Sequence, residues 1–301
     1  MRTIGRRSTV SVRAFLAAAS LPALLLGNAT VAQAQTQAQP RAPAPAPAPA
    51  PAQTRSIPES VLREAFRNQY DVDTSASIEL VVRDRSGHER RRHFTTASAI
   101  VDDRLHSIGR LDHPEHLRGM TILQIETPDH HYDTFVYLPS MRSVRRVSTA
   151  QRGDAFLGTD LSYEDLERRH LRDYEVLDSW ELRSEGELVL VVAAQPREAR
   201  RYAELRFWVS TRDAAILRVE FFKRGASDPF RSISAPRSGM QRSGEHVLPS
   251  HIRVENYARG TSTEVHFRNL RVNPEIDRRV FSVQTLERRG QIPGADTRVD
   301  R

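Results

Sequence analysis

Five times along the chain, two short β-type runs face each other across a stretch of turn residues. SIELVVRD meets HERRRHFTTA across RSG, and MTILQIET and YDTFVYLP flank PDHH. YEVLDSWELR and LVLVVAAQ flank SEGE, AELRFWVS and AILRVEFFKR flank TRDA, and HVLPSHIRVENY and STEVHFRNLRV flank ARGT. Pairs at this spacing predict a meandering antiparallel sheet. Several runs alternate apolar with charged residues: Leu205, Phe207 and Val209 against Arg206 and Trp208, and Ile216, Leu217, Val219 and Phe221 against Arg218 and Glu220. Strands of this kind have one dry and one wet face. A large sheet with one dry face has to cover it, by curling or with helices.

Helical pattern is scarce. SIPE reads as a capping box, with Ser56 as N-cap and Glu59 at N3. Ile57, Val61, Leu62, Ala65 and Phe66 then recur on one helical face, so a helix is expected up to Asn68–Tyr70. A second, short helical piece is expected near Tyr163–His170, with Ser162 as N-cap and Asp165 at N3. The expected fold is therefore mainly β: a large antiparallel sheet with an N-terminal helix and one further short helical piece. One or two helices cannot cover about ten strands, and the apolar concavity left over is where an apolar ligand can sit.

The first residues follow a different grammar. Arg2, Arg6, Arg7 and Arg13 precede the apolar run Ala14–Leu26, and Ala32-Gln33-Ala34 is a small-x-small cleavage site. This is the pattern of a secretory signal over residues 1–34, cleaved near Ala34. The apolar run is about 13 residues long, short of the roughly 20 that span a bilayer. Residues 35–55 include PRAPAPAPAPAPA, an extended low-complexity linker that reaches about 40 Å at roughly 3.1 Å per residue. The folded domain is expected over 56–289, with a disordered tail over 290–301.

The chain contains no cysteine, so it is neither acylated at a lipoprotein processing site nor stapled by disulfides. Its stability has to come from a packed core. The net charge is +7, and removing the four leader arginines leaves +3. Lys223 is the only lysine, so the basic balance reflects an arginine habit, and it is too mild to argue for nucleic acid.

No G-x-S-x-G elbow, H-E-x-x-H helix or phosphate loop is present, and no catalytic residue or cofactor is expected. His113 and His116 lie three apart, but Pro114 breaks the helix such a pair needs for zinc. Asp129, His130, His131 and Asp133 fall at a predicted turn and read as polar turn residues, so no metal is expected. Glu164-Asp165 reads as a cap, not an acid–base pair.

One stretch remains, YLPSMRSVRRVSTAQRGDAFLGTDLSYEDL over residues 137–166. It resembles the signature of the LolA-like outer-membrane lipoprotein-sorting family. Tyr137, Leu138, Pro139, Arg142, Arg145, Arg146, Phe156, Gly158, Asp160, Tyr163, Glu164 and Asp165 stand at matching positions. RFWVSTRDAAILRVEFF and FSVQTLER are similar to later strands of the family, so the resemblance runs from about Ser56 to Arg289. It departs from the pattern at Leu161, where an aromatic is common.

The resemblance implies a LolA/LolB-like half-barrel: a strongly curved sheet whose apolar concave face, lidded by helices, holds acyl chains. It implies a periplasmic, non-enzymatic carrier of lipid or lipoprotein acyl chains in outer-membrane lipoprotein sorting or lipid transport, with transient contact with a membrane surface. The alternative is a sensor or adaptor partnering an RND-type inner-membrane transporter. Arg142, Arg145 and Arg146 are the candidate readers of a head group or partner, through the guanidinium fork. Phe156, Leu157 and Tyr163 are the candidate lip of the cavity.

Overall fold

The computed structural model describes residues 52–287. The expected signal over 1–34, the linker up to residue 51 and the tail over 290–301 lie outside the described residues. Helix α1 (Ala52–Tyr70) starts four residues before the Ser56 expected as its N-cap. Ala52, Gln53 and Arg55 are strong helix formers and carry the helix upstream, so Ser56 is interior. Leu62, Ala65 and Phe66 are buried as expected, whereas Ile57 is 65% exposed and takes no part in the packing.

The first meander comprises β1 (Thr74–Arg83), β2 (Glu89–Val101), β3 (Arg104–His113), β4 (Thr121–Glu126), β5 (Tyr132–Leu138) and β6 (Ser143–Arg146). The second comprises β7 (Tyr174–Ser184), β8 (Glu187–Pro196), β9 (Glu204–Ser210), β10 (Ile216–Phe222) and β11 (Arg231–Ser234). A hairpin of β12 (Met240–Ser243) and β13 (His246–Pro249) stands as its own two-stranded sheet. Then β14 (His251–Asn256) pairs with β11 and β15 (Thr261–Val272) pairs with β1, sewing the meanders into one antiparallel sheet of 13 strands. The five expected hairpins all form, except that HVLP splits from HIRVEN and becomes β13. Among the described residues, no helix is long and apolar enough to cross a membrane.

The sheet curves without closing: its two edges are β6 and β7. Register shifts at Ser75/Ser77, His93/Phe94 and Val176/Asp178 place bulges along it, and bulges sharpen twist and bend a strand. Both edge strands carry charge, Arg145 and Arg146 on β6 and Glu175, Asp178, Glu181 and Arg183 on β7, which discourages edge-to-edge pairing.

Two apolar clusters share the concave face. In one, Leu62 and Phe66 of α1 pack on Leu205, Phe207 and Phe221, with Phe66 and Phe207 edge to face at 5.4 Å. Asn68 anchors the same helix: its Oδ1 accepts the Val247 backbone N–H at 2.7 Å. In the other, Leu80, Phe94, Leu111, Ile122 and Val265 gather around Phe156. A third cluster packs the C-terminal helix α2 (Val283–Glu287), through Leu286 and the preceding Phe281, against Ala97, Ala99, Ile108 and Leu123.

Candidate functional site

Because β6 and β7 are the opposite edges of one sheet, the segment 147–173 that joins them spans it, and Phe156, Leu161 and Leu166 place the crossing on the face that lines the cavity beneath. This strap is the part of the chain carrying the signature run, and it is built from 3-10 turns. The Ser162 N–H and Oγ–H donate to Asp165 Oδ2 at 2.8 and 2.7 Å, the expected cap, and start the turn Tyr163–Leu166. Leu157 and Gly158 are consecutive left-handed residues (φ +49° and +69°), which reverses the chain after Phe156 and directs that ring inward.

Two aspartates tie the strap to the sheet. Asp160 accepts from Thr261 Oγ1 at 2.5 Å and Thr263 Oγ1 at 3.0 Å, both on β15, and its N–H donates to Thr263 Oγ1. Asp165 takes a two-point ion pair from Arg231 on β11 and a further contact from Arg169 at 3.4 Å. Burial raises the Asp165 pKa, but the Arg231 charge and hydrogen bonds outweigh it and hold the carboxyl below the usual aspartate range. Arg231 also lies 4.0 Å over the Phe221 ring, and Arg169 donates to the Tyr174 hydroxyl at 2.7 Å. Farther along, Arg152 and Glu167 form a fork-type pair and Arg200 reaches Glu164 at 3.0 Å.

Under the strap lies a cavity of about 360 Å³. Ile78, Phe94, Ile122 and Val265 of the sheet line it, with Phe156 and Leu161 of the strap above and Tyr70 of α1 at one side. Gly109 lines it too; a Cβ there would meet Thr96 Cγ2 at 3.4 Å, so the missing side chain leaves floor space. Arg92 is on the same face of β2 as Phe94, two residues away, and approaches Gly158 of the strap. Its Nε and Nη1 are buried without a hydrogen-bond partner among the described residues.

The six residues singled out from sequence part company here. Phe156 is buried, lines the cavity and packs on Phe94 (5.8 Å) and edge to face on Tyr163 (5.6 Å). Leu157 and Tyr163 are partly buried against the same cluster. Arg142, Arg145 and Arg146 are exposed and none of them lines the cavity. Arg142 occupies the β5–β6 turn (φ +48°), Arg145 and Arg146 project from opposite faces of β6, and Arg146 pairs with Asp133. The sequence reading marked Asp160 as a signature position without a role, and it missed Arg169, Arg231 and Arg92. Only the Asp165–Arg169 spacing of four residues was a local signal.

A second constellation sits where the strap ends. Glu126, at the end of β4, has a fully buried side chain, and its Oε1 accepts from His130 Nδ1 at 2.5 Å and His170 Nε2 at 2.7 Å. His130 leaves the group of polar turn residues expected around it, while Asp129 and His131 stay at the surface. On β14 and β15, His251, Glu264 and His266 form another group with donor atoms within 4.8 Å of one another.

A family model described as an uncharacterized protein matches residues 104–288. No curated protein matches the sequence at a significant level. Among solved structures, the chain is similar to a domain classed with outer membrane lipoprotein-sorting proteins from Vibrio parahaemolyticus (TM-score 0.70, 20% identity, 76% of this chain and 97% of that one). It is also similar to a DUF1329 family protein from Desulfovibrio piger (0.68, 21%, 76% and 96%). A LolA superfamily protein from Nitrosomonas europaea matches at 0.59, with 15% identity over 75% of this chain and 98% of that one. At these identities the likeness is one of fold: an open, curved antiparallel sheet with an N-terminal helix.

Proposed function

We propose, from its LolA-superfamily fold and strapped apolar cavity, that the chain, a member of the family whose model it matches over residues 104–288, is a non-enzymatic carrier of lipid or lipoprotein acyl chains. The observation that carries this reading is the cavity between the concave face and the strap, with Phe94, Ile122, Val265 and Phe156 around it. A hydrophobic ligand gains most from such a site: each buried CH₂ contributes about 0.8 kcal/mol, so a C16 chain free in water costs on the order of 12 kcal/mol. A cavity of about 360 Å³ is within the range of small-ligand sites, roughly 300–1,000 Å³.

The leader pattern supports export to the periplasm, where a shielded route between membranes is needed. Arg92, on the same face of β2 as Phe94 and with Nε and Nη1 unpaired among the described residues, supports an acidic head group beside the strap, since an unpaired guanidinium favours a carboxylate or phosphate. Phe156 is the strap's aromatic at the cavity, backed by Tyr163 edge to face, with Leu157 at the turn beside it. Arg142 at the β5–β6 turn and Arg145 and Arg146 on the exposed edge strand β6 make this edge basic, which suits brief contact with a membrane surface or a transporter partner.

The test is organic-solvent extraction of the purified protein followed by mass spectrometry, paired with titration of a fluorescent acyl probe. Co-purified lipid and saturable probe binding are expected. A protein that yields no lipid and binds no probe is not a carrier.

A further inference from the structure

Two histidines 40 residues apart in sequence aim at one oxygen of a buried carboxylate. His130 belongs to the β4–β5 turn, with a left-handed backbone (φ +63°), and His170 is the residue before the strap's last 3-10 turn, Leu171–Asp173. Their rings lie 4.5 Å apart at an interplanar angle of 63°, and both donor nitrogens reach Glu126 Oε1. The three donor atoms all lie within 4.8 Å of one another. Two imidazoles and a carboxylate are the donor set of a zinc-type ion, which takes nitrogen at about 2.0–2.1 Å and oxygen at about 2.0–2.2 Å.

The remaining atoms of Glu126 are arranged as an outer shell for such an ion. Its Oε2 accepts the Leu105 backbone N–H at 2.7 Å, with the Tyr132 hydroxyl at 3.4 Å and Arg168 Nη1 at 3.7 Å. These contacts fix the carboxylate and turn Oε1 toward the histidines, the way outer-shell groups orient ligands. A tetrahedral ion needs its donors about 3.3 Å apart, from bond lengths near 2.05 Å. The present spacings of 2.5 and 2.7 Å open to that value if the two loop-borne imidazoles each retreat by less than about 1 Å while β4 stays fixed.

The other histidine group makes a useful contrast. His251 and His266 are stacked, with ring planes 6° apart and centroids separated by 4.6 Å. A metal bond lies in the ring plane, so stacked rings confine their lone pairs to parallel planes that do not meet. The crossed rings of His130 and His170 aim their nitrogens at the same carboxylate oxygen, Glu126 Oε1. His251 and His266 also sit on paired strands at directly opposite positions, which holds their separation fixed.

We propose that Glu126, His130 and His170 form a binding site for one divalent transition-metal ion of the zinc class, with water in the fourth position. The site ties the β4–β5 turn to the end of the strap. Bound metal therefore fastens the strap over the concave face at a point that neither Asp160 nor Asp165 reaches. His130 and His170 retain 26% and 16% exposure of their side chains, which leaves the ion a way in from solvent. The site stands independently of what the cavity holds.

The test uses untagged full-length protein stripped with EDTA and titrated with Zn(II) by calorimetry and with Co(II) by visible absorbance. One ion per chain, tetrahedral-type Co(II) bands and a raised melting temperature with Zn(II) are expected. His130→Ala and His170→Ala, each checked for folding by circular dichroism, should weaken binding by more than about 100-fold, beyond the 10–100-fold typical of outer-shell changes. His251→Ala should bind as the parent does. Failure of the parent protein to bind, or unchanged binding in folded His130→Ala and His170→Ala, overturns the assignment.

Discussion

Asp165 and Arg231 meet in a two-point ion pair across 66 residues of sequence, with Oδ2–Nη1 at 2.5 Å and Oδ1–Nη2 at 2.9 Å. Only 1% and 8% of their side chains are exposed, so neither charge has water to fall back on. Removing one partner strands the other, which typically costs about 3–5 kcal/mol, whereas replacing both with apolar groups costs far less. Asp165→Asn and Arg231→Met should each lower stability by that amount in urea unfolding. Asp165→Leu combined with Arg231→Met should cost less than the sum of the single changes, a coupling that a double-mutant cycle reads directly. Additive losses would mean the pair does not hold the strap.

The same pair sets an acid limit. The Asp165 carboxyl titrates below its usual range when folded, held there against burial by Arg231 and Arg169. A lowered folded pKa gives stability that is complete above the unfolded value, near 3.9, and is lost as pH falls through the folded one. Unfolding free energies measured from pH 6 down to pH 3 should hold level and then decline below about pH 4. The Asp165→Leu/Arg231→Met protein should show a shallower decline over that window. An equal slope in both proteins would remove Asp165 from the account.

How far the sequence carried this fold depended on whether each signal was local. Alternation over β9 and β10 marked Leu205, Phe207, Val209 and Phe221 as inward, and all four are fully buried. The Ser162–Asp165 cap was legible because its partners are three residues apart. β3 was not read as a strand, because Arg104, His106, Ser107, Gly109 and Arg110 break the apolar alternation. β11 is only four residues long and two of them are serine. Ile57 fits the helical period of α1 and is nonetheless exposed, since period alone does not say where a packed face ends. Arg231 with Asp165, Asp160 with Thr263, and His130 with His170 join segments from different strands or turns. No spacing rule reaches across such distances. What the sequence located was the strap itself, and what it left out was the set of partners that pin it.

The basic edge separates binding from folding. Arg142, Arg145 and Arg146 are exposed, and the Arg146–Asp133 pair leaves 65% of the arginine side chain in solvent, a setting worth about 0–1 kcal/mol. Reversing all three to Glu should leave the melting transition within a few degrees of the parent while abolishing sedimentation with vesicles rich in anionic lipid. Cavity binding of an acyl probe should persist, because none of the three lines the cavity. A collapse in stability would instead make the cluster part of the fold.

The most direct trial of the cavity fills it from below. Gly109 lies in the middle of β3, between Ile108 and Arg110, opposite Thr96 on β2. A Cβ built there points toward Thr96 Cγ2 at 3.4 Å and Phe94 Cδ1 at 3.9 Å, a fit that is tight but free of backbone collision. Its backbone is not in the left-handed region, so a β-branched residue meets no conformational penalty, and replacing glycine within a strand by such a residue favours the extended state. Gly109→Ile should therefore fold with stability close to that of the parent, the branched chain occupying space now open between Phe94 and Ile122. Acyl-probe affinity should fall at least about tenfold, equivalent to about 1.4 kcal/mol, as two or so methylenes lose their place. Binding of Zn(II) at the far end of the strap should be unchanged in the same protein, which keeps the cavity and the metal site separately testable. A folded Gly109→Ile protein that binds the probe as tightly as the parent would place the ligand somewhere other than beneath the strap.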